Sequence, residues 1–106
     1  MIPAGSLQER VTFRRKTESL AASGAALEAW ADLFICRAEV REPSTDEVAI
    51  GFGEIERESV VIVIRWHPIS VALDDRVIFD GRAFDIQQIT EIGRRIGWKI
   101  SAVAAS

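Results

Sequence analysis

Short runs of alternating apolar and polar residues recur along this chain, separated by Gly, Pro, Asp and Ser, a pattern that predicts strands and turns. The clearest signal is residues 76–86, where two alternating runs flank Asp80-Gly81. An Asp-Gly pair accepts the positive backbone dihedrals of a type I′ turn, so Val77 and Phe79 share a face with Phe84 and Ile86 across a hairpin. Upstream, residues 8–16 place Val11 and Phe13 on one side and Arg10, Thr12 and Arg14 on the other, as a half-buried strand does. Residues 30–40 predict a second strand, with Phe34, Cys36, Ala38 and Val40 facing one way and Leu33, Ile35 and Arg37 the other, ended by Pro43. Between them, residues 17–29 are small and polar with a break at Ser23-Gly24, which reads as a long loop with one helical turn at 25–28.

Residues 59–66 are apolar on both faces as far as Arg65, as expected of a strand covered on both sides, and Pro68 stops them. Strands at 76–79, 82–91 and 96–103 bring the total to six. The prediction is an all-β fold with little helix: a small antiparallel barrel or sandwich whose closure hides strand edges.

Residues 42–57 do not fit this scheme. They keep neither a helical nor a strand period, Gly51 and Gly53 bracket Phe52, and the segment reads as a long loop between strands 2 and 3. It is acidic: from Glu39 to Glu58, seven acids face Arg41 and Arg57, a balance of −5 within a chain of net charge −3. Its apolar Val48, Ile50, Phe52 and Ile55 would gain from burial, either against the chain's own sheet or against a partner. A surface of this sign repels phosphate and does not make a nonspecific DNA groove.

With 106 residues, the chain accommodates one domain and one modest core. Its longest apolar runs are too short to span a bilayer, and Met1 is not followed by the pattern of a signal peptide, so use in a cytoplasm is expected. Cys36 is the only cysteine and reads as a buried structural thiol. His67, the only histidine, stands at a strand end with no nucleophile at interpretable spacing. Asp74-Asp75 precedes a strand, where adjacent acids sit in a turn more often than on a metal. Gly51-Phe52-Gly53 lacks the further residues of a phosphate loop. No enzyme, cofactor or metal is expected. Arg94, Arg95 and Lys99 near Trp98 form a small basic cluster that would suit single-stranded nucleic acid, although Trp98 also fits the apolar face of its strand with Ile96 and Ile100; Trp30 is likewise assigned to packing.

The order of these features resembles the phage head-tail joining family, the connector proteins that link a capsid portal to the tail. The resemblance lies in Gly5-Ser6-Leu7 followed by Arg10-Val11-Thr12, Trp30 before Cys36-Arg37-Ala38-Glu39-Val40, and Glu47 in the excursion. It continues through Val63-Ile64-Arg65-Trp66, Arg76-Val77, residues 79–86 and Gly93-Arg94-Arg95. It implies a six-stranded β-barrel with an N-terminal arm at about residues 1–7, assembled as a homo-oligomeric ring, typically a dodecamer, around a DNA channel. The implied partners are further copies of the chain, a portal-bound adaptor, a tail terminator or tail tube protein, and double-stranded DNA passing without sequence specificity, with no membrane. The implied place is the head-tail interface of a virion or phage-like particle, assembled in a bacterial cytoplasm. The segment 42–57 would then form the channel or subunit-interface loop, with Glu47, Val48, Ile50, Phe52, Glu54 and Ile55 as its candidate residues. The alternative is a small barrel that binds single-stranded nucleic acid through Arg94, Arg95 and Lys99.

Overall fold

Backbone pairing in the computed structural model, which describes residues 2, 5, 7–49 and 58–105, joins six antiparallel strands in one closed sheet. These are β1 (Glu9–Leu20), β2 (Ala26–Arg41), β3 (Ser59–Arg65), β4 (Arg76–Phe79), β5 (Arg82–Ile92) and β6 (Gly97–Ala104). Their order around the sheet is β1-β2-β3-β6-β5-β4, and β4 pairs back onto β1 to complete the barrel. Asp80 and Gly81, at φ 53° and 73°, make the tight turn between β4 and β5 that their sequence predicts.

Period-two alternation fills the interior. Val11 and Phe13 of β1, Ala38 of β2, Val60, Ile62 and Ile64 of β3, Val77 of β4, Phe84 and Ile86 of β5, and Trp98, Ile100 and Ala102 of β6 form one buried cluster. The outward residues of β3 are buried as well: Val61 and Val63 pack with Ile2 and Leu7 from the N-terminal segment, and Ile92 lies against them. That outer layer explains why β3 is apolar on both faces. Gly97 is required where the N-terminal segment crosses, because a Cβ there would stand 2.2 Å from the Ile64 carbonyl oxygen and 2.4 Å from Cδ1 of Ile2.

Several expectations need correction. Residues 17–29 are not a long loop with a helical turn: β1 runs on to Leu20, β2 starts at Ala26, and the connection is only residues 21–25. The two strands continue past the closed sheet as a ribbon, and the molecule extends 49 × 32 × 24 Å with a radius of gyration of 14.8 Å. A compact chain of this length would have a radius of about 13 Å. Leu33, expected to face away from the core, packs against it together with Phe34. The register shifts between Phe13 and Arg14, which pair with Phe34 and Asp32, so Leu33 is the extra residue of a bulge. Ile96 lies in the turn before β6 and stays 38% exposed, outside the core face that holds Trp98 and Ile100. Within the excursion, Thr45–Ala49 form a short helix, α1, where no period was expected.

The register sets two ends. Loops 21–25, 66–75 and 93–96 open at one end of the sheet; the segment after Arg41 and the Asp80-Gly81 turn lie at the other.

Candidate functional site

The root of the excursion is built around one carboxylate. Ser44-Thr45-Asp46-Glu47 is a capping box: the Glu47 N–H donates to Ser44 Oγ at 3.2 Å, and the Ser44 N–H donates to Glu47 Oε1 at 2.8 Å. The same carboxylate accepts both terminal nitrogens of Arg41, at 2.6 and 2.9 Å, and lies 3.2 Å from Lys99 Nζ. Arg41 belongs to β2 and Lys99 to β6, with β3 between them, and the register sets Val61 beside Arg41 and Val63 beside Lys99. Glu47 therefore straddles the outer face of β3, and residues 42–49 turn back onto the sheet that they have just left. The Arg41 guanidinium, then the Ser44 N–H and Lys99, hold the buried Glu47 carboxyl well below the usual carboxylate range, against the opposing effect of burial.

Of the residues expected in the channel loop, Glu47 is this buried anchor and Val48 is half-buried beside it. Ile50, Phe52, Glu54 and Ile55 lie outside the described residues. The missed partners were partly legible, since Ser44 and Glu47 have capping-box spacing, whereas the reach to Arg41 and Lys99 depends on how the sheet closes.

A second group of polar contacts organises the opposite end. Asp75, whose side chain is fully buried, accepts Arg15 Nε and Nη2 at 2.9 Å each and the Ala72 N–H at 2.8 Å. Arg15 also donates to the Ser70 carbonyl at 3.0 Å, which ties loop 66–75 to the base of the ribbon. Asp75 is thus a loop anchor, as a turn position suggests. His67 stacks on Phe34, with centroids 3.9 Å apart and planes within 6°, and its Nδ1 accepts the Ile69 N–H at 3.0 Å. Trp30, assigned to packing, is half-buried with the Arg76 guanidinium 4.4 Å above its ring, outside the central core. Burial pushes the Cys36 thiol up to about 11.

The structure divides the basic cluster. Arg95, at φ 57° in the turn before β6, lies 5.5 Å from the Trp66 ring, Arg94 is exposed beside it, and Lys99 is engaged with Glu47. Trp98 is core. Among the described residues no group of three or more His, Cys, Asp or Glu could hold a metal, and no helix is long and apolar enough to cross a membrane.

Comparison with solved structures gives the fold independent support. A protein of Shigella flexneri 2a, solved in solution, superposes with a TM-score of 0.78 at 22% identity, covering 99% of this chain and 98% of that one. A chain from the virion of a native gene transfer agent particle superposes with a TM-score of 0.63 at 24% identity, covering 92% of this chain and 94% of its own length. No curated protein matches the sequence. The phage head completion protein model matches residues 2–104, close to the whole chain: the protein belongs to the phage head completion protein family.

Proposed function

We propose that the chain assembles as a homo-oligomeric ring, a dodecamer, between the portal-bound adaptor and the tail, that the ring surrounds the channel for double-stranded DNA, and that the 42–57 segment narrows or closes this channel to retain packaged DNA. The observation that carries this reading, beyond family membership, is the two-ended design of the domain: a stapled sheet with a ribbon at one end and an acidic segment leaving from the other. A connector must contact different neighbours above and below. The likeness to a chain of a gene transfer agent virion favours the same setting. An acidic segment suits a channel that DNA slides through, because like charge prevents adhesion. Glu47 would keep the start of that segment fixed to the sheet while the residues beyond it face the lumen or the neighbouring subunit.

Nucleic-acid binding through Arg94, Arg95 and Lys99 has less support, because Lys99 neutralises Glu47 and Arg95 lies over Trp66.

Cryo-electron microscopy of particles tests the proposal: a ring between portal and tail, with residues 42–57 at the lumen or a subunit boundary, is the expected result. Phe52→Asp should leave the monomer folded and lower the yield of DNA-filled particles. A monomer dispersed outside the particle, or an unchanged yield for that variant, would count against it.

A further inference from the structure

The β1–β2 ribbon has two open edges. Among the described residues, β4 pairs with β1 only at 12–14 and β3 pairs with β2 only at 38–41, so in the ribbon each strand has only the other as backbone partner. The Ala21 N–H bonds the Ala25 carbonyl at 2.8 Å to close the hairpin. Alternation of the antiparallel ladder from that pair directs the backbone groups of Lys16, Glu18 and Leu20 out along one edge, and those of Ala26, Glu28 and Trp30 out along the other. A two-stranded ribbon is marginal in water, and unpaired edges are templates for further strands. Leu20 and Leu27, at 77% and 50% exposure, stand at its tip.

The two edges are complementary in charge. Arg14 and Lys16 stand on the β1 side and Glu28 and Asp32 on the β2 side, while Arg15 is taken up by Asp75; Arg14 bridges Asp32 of its own chain at 2.9 Å with both side chains still exposed. Lys16 bridges Glu28 of its own chain at 3.0 Å, yet the side chains stay 40% and 58% exposed and open to a second partner.

We propose that a second copy of this chain occupies these edges: the β2 edge of one copy pairs antiparallel with the β1 edge of the next, Glu28 opposite Lys16. Because β1 and β2 run in opposite directions, copies related by rotation meet with the right polarity; within one copy Glu28 lies opposite Glu18, so pairing it with Lys16 of the next copy offsets successive ribbons by two residues and inclines them to the ring axis, as strands incline in a closed barrel. The contact is heterologous, so it closes into a ring when the rotation closes, and a complete ring of ribbons leaves no free edge. This inference rests on the ring proposed above and identifies the surface that builds it.

The test mixes two full-length chains, both carrying Cys36→Ala, one with Lys16→Cys and the other with Glu28→Cys, under mild oxidation. Directly opposed strand residues lie within disulfide reach, so covalent dimer in the mixture should exceed that of either chain alone by about tenfold. Rings seen by electron microscopy without that cross-link would overturn the ribbon contact and leave the ring reading standing. The cross-link in open filaments would support the contact and overturn the ring. Efficient self-linking of Glu28→Cys alone would show β2 paired with β2 and overturn the proposed register. As a second measure, Glu28→Pro removes an outward N–H at a position where an edge strand accepts proline, whereas Glu28→Ala removes only the charge. Glu28→Pro should keep the melting temperature and lose assembly; assembly equal to that of Glu28→Ala would overturn the proposal.

Discussion

Glu47 binds Arg41 through both carboxylate oxygens, at 2.6 and 2.9 Å, and so fixes helix α1 to the strand that precedes it. Only five residues, 42–46, lie between the two, and within them the chain leaves the sheet, turns, starts a helix and returns to the outer face. Five residues of helix do not hold themselves in water, since nucleation is unfavourable and too few bonds follow it. The capping box and the ion pair supply what length does not.

Glu47→Gln should therefore release α1 without unfolding the closed sheet. Loss of a charge-assisted pair with a buried partner costs about 1.5–3 kcal/mol. The pH dependence has a definite sign: the folded carboxyl titrates below its ordinary value of 4.5, so its contribution is fully present above that value and is lost as pH falls below it. Urea denaturation of both proteins at pH 7 and pH 4 checks this, with a smaller gap between them expected at pH 4.

Asp75→Asn should loosen loop 66–75. The fully buried carboxylate holds two Arg15 nitrogens and the Ala72 N–H, and an amide keeps only part of that set at a cost of about 1.5–3 kcal/mol. Hydrogen exchange at the Ala72 amide is the readout, with protection falling more there than in β3.

Gly97→Ala should be strongly destabilising for its size. The added carbon meets a backbone oxygen of β3 as well as the Ile2 side chain, and overpacking of this kind costs about 1–3 kcal/mol or more. Denaturant titration gives the value; Gly24→Ala, with open space around the new carbon but φ at 85°, should cost only the smaller backbone penalty of about 1–2 kcal/mol.

Cys36 should react slowly with thiol reagents in the native protein. Its thiol is pushed up to about 11 by burial, so thiolate is scarce at pH 7–8. Native labelling at pH 8 should be slower than labelling in denaturant; equal rates would contradict the packing of Cys36 against the core.

The β4–β5 hairpin, the doubly apolar β3 and the inward set from Val11 to Ala102 were legible because burial imposes a period on residue choice, and Asp80-Gly81 carries its own turn geometry. The ribbon was not. Arg15, Lys16, Thr17, Glu18 and Ser19 meet water on both faces, so no burial selects an alternating pattern, and the segment reads as a loop. Leu33 was misplaced for a related reason: a bulge shifts the register by one residue, and every side chain beyond it changes face relative to the sequence count. Trp30 looked like core because aromatics usually are; it lies instead under Arg76, a contact created by strand pairing.

The candidate site divides along the same line. Ser44 and Glu47 announce a helix start by local spacing, and local spacing is all that a capping box requires. The union of Glu47 with Arg41 and Lys99 exists only because the sheet sets β2, β3 and β6 side by side, and that of Asp75 with Arg15, sixty residues away, because β4 pairs back onto β1 to close it. The amino-acid pattern by itself determined strands, core and the tight turn, since these follow from periodicity and backbone preference. Tertiary structure alone decided which charges meet, which face each excursion covers and which edges remain open, because those depend on the relative placement of segments that carry no local signal of one another.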